Sequence, residues 1–398
     1  MTSEIKQRIE QIRRGEVPEG YKKGKLGVVP EEWEETSFSS LFTSTSDYTD
    51  DLEKYPLYSL TIEDGVTPKT ERYERSHLVK KEDSYKIVRP NDYAYNPMNL
   101  RFGSVARHKG NSPVAVSGYY DIFTTVHKSD LPFMDSFLTC DPMITYYNRV
   151  STGSLVEKQR VHFSQFLEFV LPLPSINERA KIAAILTTQD KVIELKEKRL
   201  AEKQRQKKYL MQQLLTGKKR LPGFSKEWKS VRLRNTLNVC HGQNQRNVEQ
   251  ENGVYPILGT GGEIGRTNDF LYDKPCILIG RKGSINKPMY METPFWTIDT
   301  LFYCKIKSGY HPKFLFFKFQ SINWNKYDES SGVPSLNAST IGSVDIFAPE
   351  FPEQTAIAEV LSAADREIDL LRQDIEQEKQ KKKALMQLLL TGIARVKT

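Results

Sequence analysis

Two stretches of the chain repeat apolar residues at the spacing of a coiled-coil seam, and each predicts a long helix. They run from Glu178 to Gly217 and from Glu353 to Gly392. At a rise of about 1.5 Å per residue, each helix would be about 60 Å long. Both stretches end in Thr-Gly, and a glycine just after the last apolar position is a common helix stop.

The same two stretches are copies of one another. "LMQQLLTG" at 210–217 matches "LMQLLLTG" at 385–392, and the match continues without a gap at a constant offset of 175 residues. A fainter repeat precedes each copy, because "KLGVVPEEW" at 25–33 aligns with "RLPGFSKEW" at 220–228. The chain therefore runs through lead motif, unlike segment and long helix twice, which predicts a pseudo-twofold arrangement.

Charge predicts how the two helices pair. The first copy holds ten basic and five acidic residues, and the second holds six basic and eight acidic residues. Parallel packing would set Lys207 and Lys208 against Lys382 and Lys383, whereas antiparallel packing brings the basic run 196–208 near Asp365 to Asp374. The same orientation brings Asp190 near Lys381 to Lys383. We predict an antiparallel pair.

The two unlike segments contain short β-rich runs, such as "YKIVRPNDYAY" and "CILIGRKGS", separated by Gly, Pro and Asn turns. Helical stretches in them are short, as in "HPKFLFFKF". Each segment therefore predicts an α/β or α+β domain. The glycine-rich "GTGGEIG" at 259–265 lacks the GxGxxG spacing of a dinucleotide loop and predicts a tight hairpin. Since the segments do not align with each other, we expect them to recognise different targets.

Composition narrows the class of partner. The chain of 398 residues carries a net charge of +8 with a pI near 9.0, which favours a polyanionic partner. No apolar run is long enough to cross a bilayer, and the charged N-terminus lacks the apolar part of a signal peptide, so we expect a cytoplasmic protein without a membrane partner. The four cysteines are isolated, which predicts thiols rather than a zinc site.

Basic and amide side chains cluster in glycine-punctuated loops of both segments. Arg pairs with guanine edges, Asn and Gln pair with adenine edges, and all of these side chains also reach phosphates. Solvated β-turns remain the alternative at each loop. The candidate DNA-binding residues are Lys69, Arg72, Arg75, Arg101, Arg107, Lys109, Gln243, Asn244, Gln245, Arg246, Arg281, Lys282, Ser284, Asn286, Lys287 and Asn337.

Known catalytic signatures are missing from the sequence, including the Walker A, HExxH and GxSxG patterns. "YNPMN" at 95–99 is superficially similar to the methyltransferase loop Asn/Asp-Pro-Pro-Tyr/Phe, but it lacks the aromatic residue on which a target base would stack. We therefore predict no catalytic residues, no cofactor and no metal.

This arrangement resembles the specificity subunit of type I restriction-modification systems over essentially the whole chain. The resemblance rests on the lead motifs ending at Trp33 and Trp228, the sequences "LPLPSINERAKIAAIL" and "FAPEFPEQTAIAEVL" that open the helices, the aspartates at 190 and 365, and the repeated helix ends. One departure is Arg179, which stands where the second copy has Gln354.

The resemblance implies an α/β (α+β) multidomain protein, with two globular target recognition domains joined by two long antiparallel coiled-coil helices. Each domain would read one half of a bipartite target in double-stranded DNA. The chain would be non-catalytic and would guide adenine methylation by two methyltransferase subunits and cleavage by restriction subunits. The expected divisions are an N-terminal helix that packs beside the helical pair (1–20), the first recognition domain (21–175), the first repeated helix (176–218), the second recognition domain (219–352) and the second repeated helix (353–398).

Two other functions remain open from the residues alone. A coiled-coil scaffold that binds no DNA would also contain two such helices. A self-sufficient DNA methyltransferase would be an enzyme and would bind S-adenosylmethionine by itself.

Overall fold

The fold comes from a computed structural model that describes residues 2–69, 85–155 and 159–396. The chain divides into two compact units. Unit 1 comprises Met1–Leu195 and Ile375–Thr398, and unit 2 comprises Lys196–Asp374. Each unit therefore contains one unlike segment and part of each long helix.

Unit 1 is a mixed α and β structure. Its helices are α1 (Ser3–Arg13), α2 (Phe38–Leu41), α3 (Leu131–Phe137), α4 (Asp141–Val150), α5 (Phe163–Leu167) and the first half of α6 (Ile176–Leu214). Its strands are β1 (Tyr21–Gly24), β2 (Gly27–Pro30), β3 (Glu34–Ser37), β4 (Phe42–Thr45), β5 (Tyr48–Thr49), β6 (Tyr58–Thr61), β7 (Gly65–Pro68), β8 (Tyr85–Val88), β9 (Tyr93–Tyr95), β10 (Val105–Arg107), β11 (Val114–Ser117), β12 (Asp121–Thr125) and β13 (Val170–Leu173).

Unit 2 has the same mixed character. Its helices are α7 (Leu233–Thr236), α8 (Pro312–Ser321), α9 (Ala338–Ser343) and the first part of α10 (Phe351–Leu389). Its strands are β14 (Lys229–Arg232), β15 (Leu237–Cys240), β16 (Tyr255–Gly259), β17 (Gly262–Thr267), β18 (Cys276–Gly280), β19 (Met289–Met291), β20 (Trp296–Thr297), β21 (Leu301–Ile306) and β22 (Asp345–Ala348).

The two predicted long helices are confirmed. Helices α6 and α10 are 39 residues each, and their first and last residues differ by the 175-residue offset of the sequence repeat. Both stop at the predicted Thr-Gly. Gly217 and Gly392 each have a φ of +70°, the left-handed conformation that a side chain disfavours and that ends a helix. At Gly392 an added Cβ would also lie 2.5 Å from the Pro30 ring and 2.9 Å from Trp33.

Ion pairs confirm the antiparallel orientation inside each unit. In unit 1, Glu178 binds Arg395 and Asp190 binds Lys382, so residue numbers rise along one partner and fall along the other. In unit 2 several such pairs join the helices, and three of them show the numbers again running in opposite directions. They are Lys196 with Asp374, Lys203 with Glu367, and Lys207 with Asp365.

A tryptophan, a glutamate and an arginine form the same cluster in each unit, which we call the clasp. In unit 1, Glu178 at the start of α6 accepts a hydrogen bond of 3.3 Å from the Trp33 indole and two from Arg395, which follows the end of α10. In unit 2, Glu353 at the start of α10 is bound by Trp228 and by Arg220, which follows the end of α6. The repeated sequence motifs therefore meet at one point in each unit.

The departure at Arg179 has a structural reason. Its guanidinium donates a 2.8 Å hydrogen bond to Asp130, and both side chains are buried in unit 1. In unit 2 the corresponding Gln354 instead accepts from the backbone N–H of His311 and donates to the carbonyl of Pro349. The charged guanidinium of Arg179 thus binds a carboxylate of unit 1, and the neutral amide of Gln354 binds backbone groups of unit 2.

The unlike segments contain the same four-stranded sheet. Its order is β10-β9-β12-β4 in unit 1 and β19-β18-β21-β15 in unit 2, with antiparallel pairing throughout. A three-stranded sheet accompanies each, in the orders β11-β8-β5 and β17-β16-β20, but only the second contains a parallel pair. The predicted helix in "HPKFLFFKF" is α8, and "GTGGEIG" forms the turn of the β16–β17 hairpin.

Helix α1 contacts the C-terminal segment within unit 1. The Arg8 guanidinium lies 4.8 Å from the Tyr21 ring centroid and donates to the carbonyl of Ile393. Cys140, Cys276 and Cys304 are buried free thiols, and Cys240 is partly exposed. In the described part of the chain, no helix combines the length and apolar character needed to cross a membrane.

Candidate nucleic-acid interface

Loops from distant parts of unit 2 meet around residues 296–300, just before β21. The Gln243 N–H donates to the Thr297 carbonyl at 2.8 Å, and the Trp296 indole donates to the Gln243 carbonyl at 2.9 Å. The Arg281 N–H donates to the Thr300 carbonyl at 2.8 Å. These backbone bonds fix the loops after β15 and β18 against the same short segment.

A second set of backbone bonds joins the loop 281–287 to the segment 330–337. The Gly283 N–H donates to the Pro334 carbonyl, and the Leu336 N–H donates to the Arg281 carbonyl. Asp328 supports this segment by accepting from the N–H groups of Ser335 and Ser330, and these hydrogen bonds lower the pKa of its carboxyl. The candidate residues of unit 2 are therefore brought together at one end of its four-stranded sheet.

The candidate side chains at this loop end differ in their exposure to solvent and in the hydrogen bonds that they already make. Gln243, Asn244, Arg246, Lys282, Ser284 and Lys287 are exposed, and Gln245 is partly buried. Arg281 is partly exposed and donates a long 3.3 Å hydrogen bond to the Asp299 carbonyl. Because that bond is weak, the guanidinium can exchange it for an external acceptor.

Two of the candidate amides hold the loops themselves. The Asn286 Oδ1 accepts from the Trp324 N–H at 2.8 Å. Asn337 caps α9 by accepting from the Thr340 N–H, and its Nδ2 donates to Glu329. The Asn337 Oδ1 also accepts from the Ser339 hydroxyl at 2.6 Å, so both lone pairs of this amide oxygen are already used. Both residues thus position the loop end.

In unit 1 the candidates divide between two ends of the β9–β10 hairpin. Arg101 lies in the loop that joins these strands, where its guanidinium donates to Gln159 at 3.0 Å. Arg107 lies at the other end, where β10 finishes opposite Tyr93. The sequence "RFGSVARHKG" therefore does not form one cluster.

Arg107 is bound within the domain. It donates to both carboxylate oxygens of Asp135 and to Asn91, and Lys109 lies 3.5 Å from the same aspartate. Arg107, Lys109 and Asp135 line a cleft of about 360 Å³ beside the β6–β7 hairpin. Lys69 follows β7 and donates its N–H to the Leu57 carbonyl. Arg72 and Arg75 lie outside the described residues.

Several residues at these loop ends are not among the site residues predicted from the sequence. Asp299 and Glu329 orient Arg281 and Asn337, but acidic residues are not expected beside a polyanion and the sequence pattern does not mark them. Phe102 follows Arg101 and is half-exposed. Among the described residues, no group of three or more His, Cys, Asp or Glu side chains is arranged to hold a metal ion.

Comparison with known proteins identifies the relatives of this chain. Residues 225–380 match the family described as the type I restriction modification DNA specificity domain. A protein named as the MjaX specificity subunit of a type I restriction enzyme, from Methanocaldococcus jannaschii, is 26% identical over 422 residues, which cover 96% of this chain and 98% of that protein. Residues 225–380 therefore match this specificity domain, and nearly the whole chain is similar to a type I specificity subunit.

A second relative and two solved structures are also similar to this chain. The type I restriction enzyme MjaVIII specificity subunit of the same organism is 27% identical over 270 residues, covering 58% of this chain and 64% of that protein. The crystal structure of a type I restriction-modification S subunit from M. genitalium has a TM-score of 0.58 at 15% identity, covering 92% of this chain and 97% of that chain. A chain from a study of assembly and conformational transition in a type I R-M system gives a TM-score of 0.57 at 14% identity. The chain therefore shares the fold of these two structures over nearly its whole length.

Proposed function

We propose that this chain is the DNA-reading subunit of a type I restriction-modification complex. The observation that carries the proposal is the loop end of unit 2, where Gln243, Arg281 and Lys282 come together through backbone hydrogen bonds between remote loops. A guanidinium, an ammonium and an amide held on a rigid sheet are suited to base edges and phosphates in a major groove. Fixing these loops before binding lowers the entropy that DNA recognition would cost.

On this proposal, the DNA target has two unlike halves. Residues 21–175 and 219–352 act as target recognition domains, and each reads one half-site. The same four-stranded sheet supports both, but the loops that it carries differ in sequence and in the accompanying three-stranded sheet. We therefore expect an asymmetric bipartite sequence separated by base pairs that neither domain reads.

The repeated helices, residues 176–218 and 353–398, serve as the spacer and as docking sites for two methyltransferase subunits. The chain supplies no catalytic group, so that methylation of adenine and cleavage of DNA belong to the methyltransferase and restriction subunits. Residues 1–20 act as a short helix that supports the C-terminal end of the helical pair, in line with the contact of Arg8 with Ile393.

Expression with methyltransferase subunits of its own system, followed by methylome sequencing, tests the proposal. The expected result is methylated adenine in one bipartite sequence with unlike halves. Methylation at one short continuous sequence, or none that depends on this chain, would contradict it. Stoichiometric binding of S-adenosylmethionine to the isolated chain would favour a methyltransferase, and absence of DNA binding by the complex at low salt would favour a scaffold.

A further inference from the structure

The loop 96–104 of unit 1 occupies the same place in its sheet as the loop 281–287 of unit 2. The first joins β9 to β10, and the second joins β18 to β19. In unit 1, β9 lies between β10 and β12, and in unit 2, β18 lies between β19 and β21. Both β12 and β21 are followed by a helical region. The loop 96–104 is thus the unit 1 counterpart of a loop that we propose to touch DNA.

This loop is held rigidly by its own hydrogen bonds. The Asn96 N–H donates to the Ser104 carbonyl at 3.0 Å and closes the loop at its base. Leu100 is completely buried, and the Asn148 amide donates to the Arg101 carbonyl at 2.8 Å. The next residue, Phe102, nevertheless remains 50% exposed, with the Arg101 guanidinium 4.5 Å from its ring centroid.

Two further aromatic side chains are exposed in segments next to this end of the four-stranded sheet, one just before β12 and one three residues after β4. Tyr119 is 51% exposed in the turn before β12, and Tyr48 is 50% exposed on β5. Lys86 contacts both segments. Its Nζ lies 5.6 Å from the Tyr48 ring centroid and donates to the carbonyl of Tyr120, the residue after Tyr119. The strand β12 then begins at Asp121, opposite Tyr95, where the loop 96–104 starts.

A single exposed aromatic residue needs no explanation, but Phe102, Tyr119 and Tyr48 lie in segments that enter or leave the same end of the four-stranded sheet. A phenyl ring has no hydrogen-bonding group and cannot read the donors and acceptors of a base. The 5-methyl group of thymine is the apolar feature that the major groove presents, and phenylalanine is one of the side chains that contact it. The occupant that best fits this ring is therefore a thymine edge.

We propose that Phe102 contacts the 5-methyl group of a thymine in the half-site read by unit 1. Arg101 covers one side of the ring and keeps it in place, while the rigid loop holds the ring toward the groove. This contact makes Phe102 a specificity-determining residue that the basic and amide candidates do not include. The proposal rests on the function proposed above, because it requires that unit 1 read a half-site.

Replacing thymine by uracil in the target removes only the methyl group, and this gives a direct test. The wild-type chain, in complex with its methyltransferase subunits, should bind about three- to ten-fold more weakly when one particular thymine of the unit 1 half-site is replaced, as expected for the loss of one buried methyl. The Phe102→Ala complex should bind the thymine and uracil duplexes equally. Phe102→Leu, which retains apolar contact, should keep part of the difference.

Val126→Ala is a matched control, because Val126 is equally exposed but follows β12 at the opposite end of that strand. It should retain the full preference for thymine. Specific binding without any effect of uracil, an equal loss on both duplexes for Phe102→Ala, or a unit 1 half-site that lacks thymine would each overturn the inference while leaving the proposed function intact. Absence of any sequence-specific binding by the wild-type complex would instead overturn the proposed function, and this inference with it.

Discussion

Glu178 and Arg395 are joined by two hydrogen bonds, of 2.8 and 3.1 Å, although they are 217 residues apart in the chain. The carboxylate is only 3% exposed and the guanidinium is 33% exposed. The same bonds join Glu353 to Arg220 in unit 2. The start of each long helix is thereby fixed to the segment that follows the end of the other helix.

Arg395→Ala should destabilise unit 1, because among the described residues it leaves the buried Glu178 carboxylate with the Trp33 indole as its one side-chain partner. Loss of one partner of a fully buried pair costs about 3 to 5 kcal/mol, and partial exposure of Arg395 reduces the expected loss to about 2 kcal/mol. Urea unfolding measures the difference. The control Arg372→Ala breaks only an exposed pair with Asp369 and should cost less than about 0.5 kcal/mol. Equal effects of the two changes would show that the clasp contributes no more than a surface ion pair.

The clasps illustrate what the sequence alone could predict. The repeat revealed both helices, their stops and their charge complementarity, since all three depend on residues close together in the chain. It also drew attention to Trp33 and Trp228, but it could not show that each binds a helix-starting glutamate 145 or 125 residues away. Such contacts depend on the tertiary fold.

The loop ends were less predictable for the same reason. The shared four-stranded sheet is invisible in the sequences because a sheet requires only a pattern of buried side chains, which many residues satisfy. Grouping by sequence placed Arg101 with Arg107, whereas the β9–β10 hairpin separates them. By contrast, the residues near 243, 281 and 337 are remote in sequence and meet only through strand order.

Gly392 and Gly217 should tolerate alanine differently, although both have a φ of +70°. Alanine in this conformation costs about 1 to 2 kcal/mol. At Gly217 the nearest atom to an added Cβ is 3.4 Å away on Trp228, but at Gly392 the Pro30 ring lies at 2.5 Å. Thermal unfolding should therefore show the larger loss for Gly392→Ala. Losses of the same size would mean that the backbone conformation, and not the contact with Pro30, decides the cost.

Lys318 should make the stability of unit 2 depend on pH. Its ammonium is buried, donates to the Leu215 carbonyl and lies 5.2 Å from the Trp228 ring centroid, and burial lowers its pKa to about 8. Between this value and the ordinary pKa of about 10.4, the unfolded chain keeps a proton that the folded chain has lost. The free energy of unfolding therefore rises with pH across this window.

Comparison with Lys318→Met isolates this contribution. The unfolding free energy of the wild type minus that of the variant should increase by up to about 3 kcal/mol between pH 8 and pH 10. A difference that stays constant over this range would mean that the carbonyl and the indole ring keep the buried ammonium charged.

Arg281 and Lys282 should contribute to the salt dependence of DNA binding. Each phosphate contact that is lost reduces the slope of log K against log salt by about 0.9. The Arg281→Ala and Lys282→Ala double variant should therefore flatten the slope by about one to two in complexes with the methyltransferase subunits. Lys229→Ala is the control, since Lys229 is exposed on β14 beside β22, away from the loop end, and should leave the slope unchanged. An unchanged slope in the double variant would place these residues off the DNA.

We propose that paired helices of equal length hold the two target recognition domains apart. Four residues inserted between Leu195 and Lys196, together with four between Asp374 and Ile375, lengthen both helices at the boundary between the units. Every helix-to-helix ion pair described above joins residues of the same unit, so these pairs are retained. The same insertion in α6 alone at residue 202 would shift Lys203 and Lys207 away from Glu367 and Asp365, and it serves as the mismatched control.

Methylome sequencing of cells that express the doubly inserted chain with its methyltransferase subunits tests this claim most directly. Four residues add about 6 Å of helix, against about 3.4 Å for each base pair. We expect both half-sites to keep their bases and the spacer between them to lengthen by one or two base pairs. New half-site bases at the original spacing, or an unchanged methylation sequence, would contradict it.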